Sequence, residues 1–445
     1  MSFSHATANH RIAVLTVSLI VLVSLALTGQ LFRPYMAHDD LPFIYGYDGS
    51  GAPGAFWNNT LTEGRWLTWL WSYASLYVPA WVIFIGFHAA LIGVVLHYTS
   101  KAASLPVATM VLGVLLVVSN SAVLDMQGWT VTLFPGAAVC LAHVLLGDRV
   151  KGPYGPALDF VGGFLAFQNY PGYAVIVLAS AVVRERGTLR ATISSTIAVA
   201  AGIAASLISS FALNLIHHGY FGVKIAAWRN PFPVRSVADA WGNLQKLAPH
   251  YRWVFFSQLP SLLMLVTGLF LASDKARLTS AVPFLFGASM DLVISISTGV
   301  IPAERTYVWV PFTCLLPWVL CPLTDVGSKS FGIACAALCA PAVLVFYDQQ
   351  KAFGLARKEL HAIAQTLAEQ QRNSGPVQVL VAGTTPHSPY HDGTGIYGVA
   401  RHVYKINAVL CAGGTAKACS SINPARRGIY RQQIDGAEYL IVNTP

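Results

Sequence analysis

Two adjacent carboxylates, Asp39 and Asp40, sit in the stretch Ala37-His38-Asp39-Asp40-Leu41, a few residues past the first long apolar run of a 445-residue chain with only 19 acidic residues. At such a place one carboxylate can take a proton from an attacking hydroxyl while the other positions it, or the pair can help hold a divalent cation. An aspartate of ordinary pKa is a weak base, so the first role calls for partial burial. Aromatic sequence follows through Tyr45, Tyr47 and Trp57 and runs into Glu63-Gly64-Arg65-Trp66-Leu67-Thr68-Trp69-Leu70-Trp71. That run reads as an interfacial helix, where indoles favour the headgroup level. The bland alternative is a hydrated loop with two acids and a tryptophan anchor.

A second polar stretch, His217 to Val254, carries Lys224, Arg229, Arg235, Lys246 and Arg252 against the single acid Asp239. Guanidinium and ammonium groups stabilise the charge on a departing phosphate, which needs little protonation. Arg229 and Arg235 are the first candidates for that task, with Arg65, Arg305 and Lys224 beside them. Attraction of the loop to anionic lipid headgroups is the competing explanation. Of the other polar residues inside or beside apolar runs, His217-His218 reads as a hydrated helix end and Asp159 needs no special role. Asp291, in mid-span, suits either a proton-coupled carrier or a hydrogen bond to a neighbouring helix. Asn58-Asn59-Thr60 fits a glycosylation sequon.

The elements that must position these residues are apolar helices. The chain is 55% hydrophobic and 11% charged, with mean hydropathy +0.55, far from a soluble enzyme or a disordered chain. At about 20 residues per span, the apolar runs predict about eleven transmembrane helices. They begin with Ile12 to Phe32, which is too long for a signal core, and include Val78 to His97, Leu105 to Leu124, Phe255 to Ala272, Val308 to Leu323 and Phe331 to Phe346. Leu158 to Val183 is read as a hairpin of two short helices broken at Gln168-Asn169-Tyr170-Pro171-Gly172. That arrangement keeps Arg149 and Lys151 on the same side as Arg184, Arg186 and Arg190. With Lys101, Lys275, Arg277 and Lys329 these form a strong positive-inside bias, which predicts a cytoplasmic N-terminus. Residues 33–77, 217–254 and the tail 348–445 then face outward. The net charge of +9 follows from this bias, and nucleic acid is not an expected partner.

The tail, with a charged amphipathic stretch from Lys351 to Gln371 and apolar runs at Val377 to Val381 and Tyr439 to Val442, predicts a small α/β domain. Of seven cysteines, Cys140, Cys314, Cys321, Cys335 and Cys339 lie in apolar spans as small buried side chains. Cys411 and Cys419 bracket a short Gly-containing loop in the tail, a natural place for a disulfide in an oxidising compartment. There is no zinc spacing and no Walker-type loop, and two carboxylates fall short of the oxygens a hard cation needs. The expectation is a metal-independent protein without a cofactor.

An Asp-Asp pair after the first helix, a Gly-Arg-Trp motif at Gly64-Arg65-Trp66, a short-helix hairpin centred on Phe167, Gln168 and Tyr170, and Arg305 near a later helix start resemble the serotype-converting O-antigen glucosyltransferases. Those belong to the GT-C superfamily of integral-membrane glycosyltransferases. The resemblance covers about the first 350 residues, with Phe167-Gln168 where the family pattern has Tyr-Gln. It implies an all-α, polytopic, GT-C-like module over 1–347, with which the extracytoplasmic domain over 348–445 read from the topology is compatible. It further implies inverting transfer of a hexose, glucose by preference, from a polyprenyl-phosphate donor to a lipid-linked polysaccharide such as O-antigen, a lipopolysaccharide modification at the periplasmic face of the inner membrane. Asp39 or Asp40 would be the base, Arg65, Arg229, Arg235, Arg305 and Lys224 would face the donor phosphate, and Gln168, Tyr170 and Trp66 would bind substrate. Membrane lipids, a flippase and a donor synthase are the implied partners. A lipid-linked sugar flippase or transporter is the main alternative; it would favour charged residues at the midplane and similar halves, whereas this chain concentrates its polar residues in the outer loops and shows no obvious internal repeat.

Overall fold

In the computed structural model, residues 2–45, 54–101, 105–150, 154–320, 325–375, 377–387, 393–411 and 417–444 are described. Tyr47, Lys151 and Cys321 lie outside them. Apolar helices dominate the chain up to Ser374, and a four-stranded sheet follows. The protein is a helical membrane protein with a small mixed domain at its C-terminal end.

Among the described residues five helices are long and apolar enough to cross a membrane: Ala8–Leu27, Ala80–Lys101, Ser121–Gly147, Leu189–His218 and Asp274–Thr298. The pair Val237–Ser257 and Leu259–Leu271, bent by 70°, makes a sixth if it is one broken span. This is fewer than the eleven expected, because several apolar runs are interrupted. The run from Leu105 stops at Val118, and the Asn120 side chain accepts from the Ala122 amide at 3.0 Å to start a new helix. The run from Val308 is divided into Trp309–Cys314 and Leu316–Leu320.

Backbone freed at such breaks must be satisfied inside the protein, since lipid offers no partner. Two breaks meet for that purpose. Asn120 donates to Gln258 Oε1 at 2.7 Å and to Ser261 Oγ at 3.2 Å, while Gln258 donates to Ser121 Oγ at 2.9 Å. Polar side chains at one helix start thus brace the bend at the other.

The stretch around Tyr170 forms two short helices, Tyr154–Asn169 and Pro171–Arg184. Tyr170 is extended and Pro171 opens the second helix, where its missing N–H costs nothing. The helices fold back on each other: a side chain on Gly162 would meet Val177 at 3.0 Å. At the open end of this hairpin Arg184 binds both oxygens of Asp159 at 2.9 Å, and His143 Nε2 lies 2.9 Å from Asp159 Oδ1. Asp159, expected to need no special role, is fully buried and ties three helices together. Asp291 accepts from Trp309 Nε1 at 2.9 Å, the neighbouring-helix reading of that acid.

The expected boundary between 347 and 348 falls inside one unbroken helix, Asp325–Ser374, whose 50 residues extend about 75 Å. Its C-terminal half packs against one face of the sheet. Strands β1 (Gln378–Val381), β2 (Ala408–Leu410), β3 (Gly428–Ile434) and β4 (Ala437–Asn443) lie in the order β2-β1-β4-β3. The outer strand β3 is antiparallel to β4, and β1 runs parallel to both of its neighbours. Asp435 and Gly436 turn β3 into β4 with φ of 51° and 82°, the left-handed pair that two-residue hairpins favour. On one face Val379, Val381, Leu440 and Val442 pack with Phe353, Leu360 and Leu367 of the long helix, and with Tyr35 and Leu41 of the first loop. The other face holds Leu380, Ile441 and Ile434 beside the bonded Cys411–Cys419 pair, whose Cα atoms are 5.5 Å apart.

Removing Arg184 takes the guanidinium from the buried Asp159 and breaks a buried ion pair, which typically costs about 3 to 5 kcal/mol. Arg184→Ala is therefore expected to lower the thermal unfolding midpoint of the detergent-solubilised protein strongly. Asp159→Asn combined with Arg184→Gln should recover a large part of that loss; an unchanged midpoint in Arg184→Ala would contradict the lock.

Candidate functional site

A cavity of about 720 Å³ lies where the first loop, the turn before Thr130, the segment around Arg229 and the C-terminal domain converge. Its wall includes His38, Asp39, Glu63, Arg65, Trp69, Trp129, Thr132, Arg229, Arg305 and Thr394. The volume is in the range of small-molecule sites. Three guanidiniums face two carboxylates.

The two aspartates have different tasks. Asp40 is completely buried, and its carboxylate accepts from the Val131 amide at 2.7 Å, from the Thr132 amide at 2.9 Å and from Thr132 Oγ1. These are the first amides of the helix Thr130–Gly147, which have no partner within the helix, and a carboxylate there also meets the positive end of the helix dipole. Burial pushes the Asp40 pKa up to about 7, and the three donors act against that rise. Asp40 does not line the cavity. Asp40, read from the sequence as one of two candidate bases, has both of its oxygens occupied by the helix end.

Asp39 is the residue that faces the cavity. Its side chain is 58% exposed and lines the cavity, and Oδ1 lies 3.2 Å from Nε2 of His38. Because Asp40 is fastened to the helix start, its neighbour in the chain is carried to the cavity edge. A second bond, from the Ala37 amide to the Gly128 carbonyl at 2.7 Å, fixes the other side of this loop.

The arginines come from three separate segments. Helix Gly54–Glu63 ends on Gly64 with φ of 69°, and the next helix begins at Trp66. That left-handed residue reverses the chain so that Glu63 and Arg65 share one side; a side chain on Gly64 would stand 3.1 Å from Val223. Glu63 then holds Arg65 Nε at 3.0 Å and Arg229 at 2.5 Å. Burial would raise the Glu63 pKa, but Arg65, Arg229 and Arg305 together keep it below its ordinary value of 4.5. Arg305 is anchored by Asp125, which accepts from its amide at 3.2 Å and from its guanidinium at 3.3 Å. Its guanidinium also lies over the Trp129 ring, 4.5 Å from the centroid.

Other expected site residues take supporting places. Tyr170 underlies Arg65, with the guanidinium 4.9 Å from the ring centroid and the hydroxyl 3.0 Å from Thr306 Oγ1. Gln168 donates to the Ser206 carbonyl and to Ser210 Oγ, both at 3.0 Å, and Ser210 in turn donates to the Gly64 carbonyl at 3.0 Å. Trp66 is buried and donates to Asn214. None of these three lines the cavity, and neither do Lys224 and Arg235, which are exposed. The Lys224 amide bonds the Leu61 carbonyl and the Arg235 amide bonds Asp239. His218 accepts from or donates to Thr60 at 2.7 Å, and both histidines at 217 and 218 pack on Trp57 and Trp66.

Sequence reasoning did not single out Glu63, His38, Asp125, Trp129 or Thr394. Glu63 and His38 stood beside chosen residues, and only the convergence of distant segments reveals their work. Among the described residues no group of three or more His, Cys, Asp or Glu is gathered to hold a metal. No family model matches this sequence, and neither a curated protein nor a solved structure matches it.

Asp40→Ala removes a helix cap worth about 0.5 to 2 kcal/mol and should lower the thermal midpoint, whereas Asp39→Asn should leave it unchanged. Equal thermal midpoints for the two variants would argue against the capping role. Glu63, titrating below its ordinary value when folded, contributes ion-pair stability that is complete above about pH 4.5 and is lost as pH falls through the lowered value. The stability difference between the wild type and Glu63→Gln should therefore be constant near neutrality and shrink in acid; a difference growing below pH 4.5 would contradict this.

Proposed function

We propose that the cavity transfers a hexosyl group from a polyprenyl-phosphate donor to a hydroxyl of a lipid-linked polysaccharide. The observation that carries the reading is the meeting, in one cavity, of an accessible carboxylate, Asp39, with three arginines. The acceptor oxygen attacks the anomeric carbon from one side and gives its proton to the Asp39 carboxylate. The bond from that carbon to the phosphate oxygen breaks on the other side, so the configuration inverts. The polyprenyl phosphate leaves as an anion beside Arg65, Arg229 and Arg305, which need no proton to stabilise it. Glu63 keeps two of these cations in place before the donor arrives.

The topology fits this chemistry. In our reading the cavity faces the periplasm, as the basic clusters at the opposite helix ends suggest, and the bonded Cys411–Cys419 pair suits that oxidising side. The helices would then form a scaffold of GT-C type. Resemblance to the O-antigen glucosyltransferases points to glucose and to the bacterial inner membrane, with a flippase and a donor synthase upstream. A lipid-linked sugar flippase is the second reading, but Asp291 is engaged with Trp309, which leaves it little part in a midplane relay.

The test is an assay of purified protein with synthetic polyprenyl-phosphate glucose and a lipid-linked oligosaccharide. Asp39→Asn should reduce kcat about 10² to 10⁴-fold, the range for loss of a general base, with the protein still in the membrane and normally stable. Turnover at the wild-type rate in that variant would remove Asp39 from the chemistry. Transbilayer movement of the donor without transfer would favour the flippase.

A further inference from the structure

Trp129 stands between the two halves of the cavity. Its ring carries the Arg305 guanidinium 4.5 Å from the centroid and meets the His38 ring in a T-shaped contact at 5.3 Å. His38 in turn holds Asp39 at 3.2 Å. One indole therefore touches both the arginine on the phosphate side and the histidine that orients the carboxylate. It is only 6% exposed although it lines the cavity. Its backbone is fixed on both sides, by the Ala37 amide on the Gly128 carbonyl and by the Asp40 carboxylate on the Val131 and Thr132 amides.

We infer that Trp129 is a positioning residue that sets the distance between the base and the phosphate-binding arginine, through His38 on one side and Arg305 on the other. The inference rests on the glycosyl-transfer reading. A large rigid ring suits this role: it has two side-chain torsions, both restricted by burial, so the two groups it touches cannot drift independently. Its face also favours a cation, and an aliphatic side chain would remove that contact from Arg305. A reaction that needs the hydroxyl, the anomeric carbon and the leaving oxygen in line is sensitive to errors of about 1 Å in that spacing.

The experiment uses the full chain in lipid nanodiscs and compares the wild type with Trp129→Phe and Trp129→Leu. Two quantities are read: affinity for undecaprenyl phosphate, and kcat and KM for transfer from polyprenyl-phosphate glucose. Trp129→Leu should bind undecaprenyl phosphate about 5 to 10-fold more weakly, as expected for loss of a desolvated cation–π contact. Its kcat should fall by about 10²-fold, the scale of a 1 Å misplacement. Trp129→Phe keeps an aromatic face and should recover most of both, which mere filling of space would not explain if the thermal midpoints of the two variants agree. The inference is overturned if Trp129→Leu matches the wild type in both quantities, if the two variants are equally impaired, or if the wild type does not bind undecaprenyl phosphate. Should the wild type and Trp129→Phe bind undecaprenyl phosphate, Trp129→Leu bind it weakly, and none transfer glucose, the Arg305 contact stands and the glycosyl-transfer reading falls.

Discussion

The carboxylate of Asp40 on the first amides of the helix Thr130–Gly147 is the contact on which the cavity depends. A helix start leaves four N–H groups without partners, and in an apolar protein no water is at hand to satisfy them. Asp40 meets two of these and the Thr132 hydroxyl. The same contact fixes where the first loop lies. Asp39 is displayed because Asp40 is withdrawn, and Trp129, just before the capped turn, is held in place with it.

A similar economy governs the cationic wall. Three buried or half-buried guanidiniums would repel one another, and Glu63 offsets that repulsion by pairing with Arg65 and Arg229, while Asp125 holds Arg305. Gly64 makes the first pairing possible through its left-handed backbone. Gln168 and Tyr170 act on the same turn from beneath, one through Ser210 to the Gly64 carbonyl and the other under Arg65. The hairpin tip is thus a support for the arginines. The C-terminal domain closes the remaining side: Gly398 packs so tightly on His38 that a side chain there would stand 2.9 Å from its Cβ, and Lys405 bonds the Tyr45 carbonyl at 3.0 Å.

Membrane character, the broken hairpin and the mixed C-terminal domain were legible in the sequence, because each rests on local composition or on turn chemistry. The Pro171-Gly172 break is a chemical instruction that hardly depends on what surrounds it. The span count was less legible. An apolar run records hydrophobicity and not continuity, so Asn120 inside one run and the bend at Gln258 were passed over, although both stop a helix.

The sequence alone determined that this chain is dominated by apolar helices and that the Asp39-Asp40 pair and most of the candidate arginines lie in the polar segments between them. Hydrophobicity and charge are properties of residues, and they survive being read one at a time. Only the tertiary structure decided which of two neighbouring aspartates is a helix cap and which faces a cavity, and which of five cationic candidates share it. Those distinctions arise from contacts between Asp40 and Val131, or Glu63 and Arg229, that are 91 and 166 residues apart, and spacing along the chain carries no record of them.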